Sequence, residues 1–191
     1  GQEAAIGVFS DVEELLAADA VDGAFIASRT ENHYRNAKTL VDGGLRVLME
    51  KPLTHSLETA REFVAYLQAD DFRRTALMQA FMRRFDAPLL YAKGLLDQGA
   101  IGAPFKIVSV LEDPLPPPQG YNSSGLLSDM AVHNIDEILW LSGQLPERVA
   151  GFGSLLYNQR ITDVKEDFDD AMLQMYFPGS LIGQVTVSRN H

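Results

Sequence analysis

The fold is decided by the stretch Leu45-Arg46-Val47-Leu48-Met49-Glu50-Lys51-Pro52, an apolar run that ends at a charged pair and a proline. A run this short, bounded by turn residues, is typical of a strand buried on both faces of a parallel sheet. Ala24 to Ala27 predicts an earlier strand of the same kind, and Thr75 to Phe81 predicts a third. Because parallel strands need crossover connections, the segments between these runs are expected to be helical.

Helical signals lie where the crossovers require them. His33 to Val41 is predicted to be a helix that ends at Gly43-Gly44, because glycine adopts a left-handed conformation at little cost. Thr54 or Ser56 can cap the next helix, in which apolar residues recur every three or four positions. The run Ser10-Asp11-Val12-Glu13 has the spacing of a capping box and predicts an earlier helix.

The first 82 residues are therefore predicted to form an α/β unit, the C-terminal half of a doubly wound, Rossmann-type dinucleotide-binding domain. Residues 83–191 differ, since their predicted strands alternate apolar and polar residues at period two, which is typical of an antiparallel sheet. They predict an α+β domain built on a largely antiparallel, open-faced sheet. Its predicted helices are 88–98 and 126–141, and its predicted strands are 105–111, 148–157, 171–177 and 181–188.

The composition limits the classes of function. The formal net charge of −10 argues against nucleic-acid binding, which needs clustered lysine and arginine. The basic clusters present, Arg73-Arg74 and Arg83-Arg84, are interpreted as solvated strand ends. No apolar run approaches the ~20 residues of a membrane span and no signal peptide is visible, so no membrane partner is predicted and a cytoplasmic location is the default expectation. The lack of cysteine excludes disulfides and thiolate metal sites.

Lys51 is the first candidate for chemistry, because it directly follows a predicted buried strand. In open parallel sheets the ligand binds beyond the carboxyl ends of the strands, where Lys51 and the segment Ser28 to His33 fall. Pro52 restrains the backbone after the lysine, and Glu50 is a potential partner. A lysine held there can stabilise the oxyanion that forms as hydride departs. A solvated end of the strand is the alternative interpretation.

Asp129 and His133 are the second candidates, since residues four apart share one face of a predicted helix. An imidazole with a carboxylate neighbour can accept the proton of an alcohol at neutral pH. Two other interpretations stay open, an ion pair on the helix surface and a metal site formed with Asp136. Because no further histidine or cysteine has ligand spacing, no metal is predicted.

Two polar segments flank these candidates. Tyr121, Asn122 and Ser123 precede the helix and are predicted to bind a polyhydroxylated substrate, with an ordinary polar loop as the alternative. Asp163 to Asp170 is an acidic run that is interpreted as a solvated loop, since it lacks the alternating oxygens and the glycine of a calcium loop.

Taken in order, these blocks resemble the glucose-fructose oxidoreductase and inositol dehydrogenase (Gfo/Idh/MocA) family of NAD(P)-dependent sugar and polyol dehydrogenases, and its inositol-dehydrogenase-like members most. The shared blocks are Asp11 to Leu16, Ile26 to Ser28 with His33, Met49 to Leu53, Phe81 to Asp86, Ile101 to Pro104 and Asp129 to Asp136. The resemblance implies that NAD or NADP is bound by Ser28, Thr30, His33, Glu50, Lys51 and Pro52. It also implies catalysis by Lys51, Asp129 and His133 at the reacting carbon of a sugar or polyol.

The chain departs from the family pattern in two places. It contains no Gly-x-Gly-x-x-Gly phosphate turn, so the choice between NAD and NADP stays open. Glu112 stands where many inositol-type members carry arginine, which leaves the individual substrate open. Since the chain starts at Gly1 and its last predicted strand has nothing after it, we expect a fragment truncated at both ends.

The predicted function is hydride transfer between a hydroxyl carbon of an inositol-like polyol or sugar and a nicotinamide cofactor. An NAD-dependent glycosidase that oxidises its sugar transiently and a non-catalytic member of the family are the alternatives. The resemblance also implies that residues 83–191 are an incomplete domain for substrate binding and oligomerisation. It further implies a homodimer or homotetramer that pairs through the open face of the second sheet. The strand over 171–177 would place Leu173, Met175 and Phe177 on one face and Met172, Gln174 and Tyr176 on the other.

Overall fold

The computed structural model describes residues 6–113, 125–155 and 167–189. The chain divides into two units, Gly1–Ala80 and Phe81–His191. The domain boundary expected from the sequence, after residue 82, stays a prediction. Within the described ranges, no helix combines the length and the apolar character that a membrane span requires.

The first unit is a parallel sheet with helices in its crossovers. Its strands are β1 Gly23–Ile26, β2 Arg46–Glu50 and β3 Leu77–Ala80, and its helices are α1 Val12–Ala17, α2 His33–Asp42, α3 Leu57–Leu67 and α4 Asp71–Ala76. The strand order is β1-β2-β3 with both pairings parallel, and Glu50 at the end of β2 pairs with Ala80 at the end of β3. The alternation of strand and helix predicted from the apolar runs is confirmed. Ser56, one of the two predicted caps, caps α3 by accepting the N–H of Thr59.

Two local predictions for this unit were wrong, and an aspartate explains each. Asp11 caps α1 by accepting the N–H of Glu14 at 2.8 Å, whereas Ser10 donates its hydroxyl to the Glu14 carboxylate. Asp70 caps α4 in the same way, and the Arg73-Arg74 pair therefore lies in a helix and not at a strand end. Aspartate accepts the free N–H groups at a helix start as well as serine does, so either residue can set the first turn.

The described helices cover one face of this sheet. The core on that face consists of Ile26, Ala37, Leu40, Val41, Val47, Met49, Phe63 and Ala76. On the other face Phe25, Leu48 and Met78 pair in register across the three strands and are 58%, 40% and 51% exposed. The prediction that these strands are buried on both faces is therefore wrong for the described part of the chain, because α2 and α3 pack into the same core.

The second unit is an α+β domain on a mixed sheet. Its strands are β4 Lys106–Glu112, β5 Arg148–Ser154, β6 Asp170–Tyr176 and β7 Ile182–Ser188, and its α-helices are α5 Ala87–Asp97 and α6 Val132–Ser142. The order is β4-β7-β6-β5, in which β4 and β7 are parallel and the other pairs are antiparallel. The predicted α+β architecture with a largely antiparallel sheet is confirmed.

One face of the second sheet packs against α6, and no described residue covers the other, open face. Met175 and Phe177 are buried, whereas Met172 is exposed, so the predicted division of β6 into two faces is confirmed. The helix comes close to β7 at Gly183, where a Cβ atom would lie only 2.9 Å from Cγ2 of Ile138. Glycine at this position allows the helix to pack directly on the strand.

Candidate active-site residues

Lys51 directly follows β2, at the carboxyl end of the first sheet. Its main-chain N–H donates to the Glu50 carboxylate at 3.2 Å, and the Lys51–Pro52 peptide bond is cis. Glu50 and Lys51 are both partly buried. The lysine therefore lies at the edge of the sheet where doubly wound folds bind their ligands.

His33, at the start of α2, connects the loops that follow β1 and β2. Its Nδ1 lies 2.9 Å from the carbonyl oxygen of Pro52, its Nε2 lies 3.1 Å from that of Ser28, and the residue is 1% exposed. The ring thus holds the turn after Lys51 against the turn after β1. Direct contact between His33 and a cofactor stays a prediction.

The other predicted cofactor residues surround this connection. Ser28 is exposed after β1, and Thr30 opens the short 3-10 turn Thr30–Asn32 that leads into α2. All the predicted cofactor-binding residues lie at or just after the carboxyl ends of β1 and β2. They are Ser28, Thr30, His33, Glu50, Lys51 and Pro52. These two ends are adjacent because the strands pair in parallel and His33 contacts both segments.

Gln79 is a polar residue at this end of the sheet that the sequence analysis missed. It lies one residue before the end of β3 and pairs in register with Met49. Its Nε2 is buried and has no hydrogen-bond partner among the described residues. Buried amide groups are nearly always paired, so this donor indicates a place for an external acceptor. A glutamine within an otherwise apolar strand was the available signal.

Asp129 and His133 lie where the second unit's long helix begins. The predicted helix over 126–141 is confirmed in extent, but Leu127–Ala131 is a π-helical turn and only the part from Val132 is an α-helix. Asp129 lies in the π turn, and His133 lies in the first α turn and is 8% exposed. Single π turns of this kind occur frequently at functional sites.

A buried carboxylate caps this helix start. Oδ1 of Asp167 accepts the N–H of Leu126 at 2.6 Å and that of Phe168 at 2.9 Å, and its Oδ2 accepts from Arg189 at 2.6 Å. Arg189 also lies 3.5 Å from Oδ2 of Asp129. Asp167 and Asp169 are buried, so the interpretation of this part of the acidic run as a solvated loop is wrong.

Two further ion pairs attach α6 to the segment that opens the second unit. Arg84 donates to both carboxylate oxygens of Asp136, at 2.9 and 2.5 Å, and Arg83 donates to Glu137 at 2.9 Å. The bonds to Asp136 raise the pKa of the Arg84 guanidinium. The interpretation of Arg83-Arg84 as solvated strand ends is therefore wrong. Asp136, considered as a metal ligand from the sequence, is held by an arginine, and the described residues form no group of three or more metal-binding side chains.

The family models assign both units. Residues 1–75 match the model described as an oxidoreductase family with an NAD-binding Rossmann fold, and residues 89–191 match the GFO/IDH/MocA C-terminal domain. The chain belongs to the GFO/IDH/MocA family. The resemblance inferred from the sequence blocks is thereby confirmed, and so is the Rossmann-type fold of the first unit.

Relatives of this GFO/IDH/MocA chain include two named inositol dehydrogenases. A myo-inositol 2-dehydrogenase of Thermotoga maritima is 28% identical over 95% of the chain and 54% of its own length. An NAD(+)-dependent scyllo-inositol 2-dehydrogenase of Bacillus subtilis is 29% identical over 94% of the chain and 52% of its own length. The structure of scyllo-inositol dehydrogenase from Lactobacillus casei with NAD(H) and scyllo-inositol aligns with a TM-score of 0.78 and 26% identity, over 96% of this chain and 55% of that one.

The chain thus spans about half the length of the curated relatives that it matches. The predicted substrate-binding residues Tyr121, Asn122 and Ser123 lie outside the described residues. Their role in this GFO/IDH/MocA protein stays a prediction, as do the catalytic roles of Lys51 and the Asp129–His133 pair.

Proposed function

We propose that the complete protein is an NAD- or NADP-dependent oxidoreductase that transfers hydride between a hydroxyl carbon of an inositol-like polyol or sugar and the nicotinamide. The observation that carries the proposal is the start of α6, where a buried imidazole, His133, lies one turn from the Asp129 carboxylate. Family membership supports it, because inositol dehydrogenases align over nearly the whole chain.

The carboxyl end of the first sheet fits a dinucleotide. Ser28 is exposed after β1, Lys51 follows β2, and the buried Nε2 of Gln79 lacks an acceptor within the described ranges. A dinucleotide offers amide, hydroxyl and phosphate acceptors, and open parallel sheets bind such ligands at this end. When bound, the cofactor would supply the acceptor for hydride. We assign its binding to Ser28, Thr30, His33, Glu50, Lys51 and Pro52.

The proposed roles of the three catalytic residues follow from the chemistry of alcohol oxidation. The alcohol becomes a ketone when hydride leaves its carbon and a proton leaves its oxygen, and the His133 imidazole accepts that proton. The Lys51 ammonium group stabilises the negative charge that develops on the oxygen. Asp129 orients His133 or the substrate, and its negative charge favours the imidazolium that forms. Tyr121, Asn122 and Ser123 are assigned to the substrate hydroxyls.

The test uses the complete natural gene product and a panel of inositols and hexoses with NAD and with NADP. Replacing His133 by Ala is expected to lower kcat by about a hundredfold or more, because general base catalysis contributes at least that much. Lys51→Ala is expected to lower kcat in the same direction through loss of charge stabilisation. The exposed His55 provides the matched control, and His55→Ala is expected to retain wild-type turnover.

Each outcome separates one alternative from the proposal. Wild-type turnover in both Lys51→Ala and His133→Ala would contradict the assigned roles. Release of an aglycone without free NADH would favour the glycosidase. A complete protein that binds the cofactor but turns over no member of the panel would favour a non-catalytic role.

We further infer that two copies of the protein pair through the open face of the second sheet, giving a homodimer or homotetramer. This face carries the apolar side chains Val108, Val110, Phe152, Met172, Tyr176 and Ile182. Phe152 and Met172 are direct partners in the register of β5 and β6. An exposed apolar area of this kind is typical of an interface, and a two-fold axis allows one face to pair with itself.

A further inference from the structure

The second unit contains a buried cluster of charges around the proposed catalytic carboxylate. Arg189 follows β7 and is 3% exposed. Its Nη1 donates to Oδ2 of Asp167 at 2.6 Å, and its Nη2 lies 3.5 Å from Oδ2 of Asp129. One guanidinium therefore lies between two carboxylates, one of which belongs to the π turn of the candidate site.

The backbone holds Asp167 in a fixed position in this cluster. Its Oδ1 accepts the main-chain N–H groups of Leu126 and Phe168, so the carboxylate is bonded on both oxygens. Gly125 has φ +91°, and a Cβ atom there would lie 3.1 Å from Oδ1 of Asp167. Arg189 is anchored too, because its main-chain N–H donates to the carbonyl oxygen of Asp169 at 3.0 Å. These contacts leave the guanidinium little freedom to turn away from Asp129.

The charges of Arg189 and Asp167 are both expected to affect the ionisation of the Asp129 carboxyl group. A buried arginine requires anionic partners, and a carboxylate beside a cation is favoured in its ionised form. Asp167 and Asp129 both contact the Arg189 guanidinium, so removing the negative charge of Asp167 would favour the ionised form of Asp129. Among the described residues, the other titratable groups on the elements around the π turn include Asp113 after β4, His133, Asp136 and Glu137 on α6, and Asp169 and Asp170 at the start of β6.

We propose that Arg189 and Asp167 are positioning residues: Arg189 favours the ionised form of the Asp129 carboxylate and fixes its orientation at the start of α6, and Asp167 holds the Arg189 guanidinium in place. Asp167 fixes the guanidinium, and the guanidinium fixes Asp129. The catalytic consequence rests on the proposed function, because it requires that Asp129 assists His133. The electrostatic part of the inference is independent of any activity.

The first experiment measures the titration of Asp129 in the complete protein by NMR of aspartate labelled with carbon-13 in its carboxyl group. Asp129→Asn assigns the signal. Arg189→Met, which keeps an unbranched side chain but removes the guanidinium and its charge, is expected to raise the titration midpoint of Asp129 by about one pH unit. Asp167→Asn, which keeps an acceptor for Leu126, is expected to lower the midpoint. A general loosening of the fold would not shift the Asp129 midpoint in opposite directions in the two variants.

The second experiment measures the pH profile of kcat/KM for the best substrate of the wild type. Arg189→Met is expected to lower kcat/KM about tenfold or more, since small displacements of catalytic groups are costly. It is also expected to move the acid limb to higher pH, because loss of a cation raises the pKa of any nearby carboxyl or imidazole. Arg189→Lys is expected to bring the acid limb back towards the wild-type position. Arg61→Met, at an exposed arginine of α3, is the control and is expected to leave both quantities unchanged.

Every outcome supports or overturns a defined part of the inference. An Asp129 midpoint that is the same in wild type, Arg189→Met and Asp167→Asn overturns it. If Arg189→Met does not fold, the other two variants still test the inference. Asp167→Asn does so through the titration midpoint of Asp129, and Arg189→Lys through the acid limb of the pH profile. Shifted midpoints with an unchanged pH profile overturn the positioning role in catalysis. Shifted midpoints in a wild-type protein without dehydrogenase activity support the electrostatic role and contradict the proposed function.

Discussion

Asp42, the last residue of α2, accepts hydrogen bonds from three side chains. The donors are Lys38 at 2.5 Å, Tyr66 at 2.6 Å and Arg73 at 3.1 Å. The bonds from Lys38 and then Tyr66 lower the pKa of the Asp42 carboxyl. Burial and the bond to Asp42 raise the pKa of the Tyr66 hydroxyl. Folding therefore favours the ionised carboxylate and the neutral phenol.

The sign of these shifts predicts how Asp42→Asn changes stability with pH. A lowered carboxyl pKa contributes stability above the ordinary value of about 3.9, and this contribution is lost as the pH falls through the folded-state value. The wild type is thus expected to be more stable than Asp42→Asn near neutral pH, with the difference shrinking in acid. Urea denaturation of both proteins across that range measures it. A difference independent of pH would contradict the prediction, and Asp71→Asn, at an exposed carboxylate, is the control.

Tyr66→Phe tests the other partner of this pair. A raised phenol pKa contributes stability below the ordinary value of about 10, and this contribution is lost as the pH rises through the folded-state value. The variant keeps the ring contacts with Phe63 and Arg73 and loses only the hydroxyl. We expect a loss of about 1 kcal/mol at neutral pH, which is typical of one hydrogen bond. Equal stability of the two proteins at neutral pH would contradict this.

Gly125 leaves room for the Asp167 carboxylate that caps the start of the π turn. Gly125→Ala is expected to destabilise the second unit by about 1–2 kcal/mol from backbone strain alone, and by more because its Cβ would press on Asp167. Gly99→Ala is the matched control, since Gly99 also has a positive φ, of +68°, but open space around its Cα. Chemical denaturation compares the two variants. If they cost the same, the contact with Asp167 has no energetic role.

At the scale of elements, α6 is held at three points. Asp167 caps the turn that precedes it, Arg84 and Arg83 bind its middle through Asp136 and Glu137, and Gly183 admits it onto β7. A polar chain continues from this attachment, because Glu137 accepts from Ser109 of β4 at 3.2 Å and Ser109 accepts from Asn134 at 2.7 Å. The helix that carries His133 is thus fixed by charged contacts as well as by apolar packing.

Arg84→Met is expected to weaken this attachment. The variant leaves the buried Asp136 carboxylate without its two-bond partner, which is costly, although the guanidinium itself is 41% exposed and partly screened. We expect a loss of about 2 kcal/mol in the free energy of unfolding. Arg74→Met removes an exposed ion pair of similar length and is expected to cost less than about 0.5 kcal/mol. A loss in Arg84→Met no larger than in this control would contradict the assigned attachment.

At the scale of the whole molecule, the open face of the second sheet predicts the assembly. Replacing both Phe152 and Met172 by Lys places two charges per copy at paired positions of this face, so self-pairing would bring like charges together. Light scattering of the complete protein at micromolar concentration is expected to give an oligomer for the wild type and a monomer for the variant. A wild type that stays monomeric on concentrating would rule out the interface.

The sequence by itself determined the strands and the crossovers, because apolar periodicity and turn residues are local signals. The run Leu45 to Met49, for example, predicted β2 and the lysine that follows it. The sequence indicated the family through the order of its motif blocks. Only the tertiary structure placed Arg189 and Asp167 at the Asp129 turn and Arg84 on Asp136. These partners are far apart in the chain, and a charged residue carries no mark of burial in its sequence context. Such charges are paired because folding removes them from water, and that requirement exists only in three dimensions.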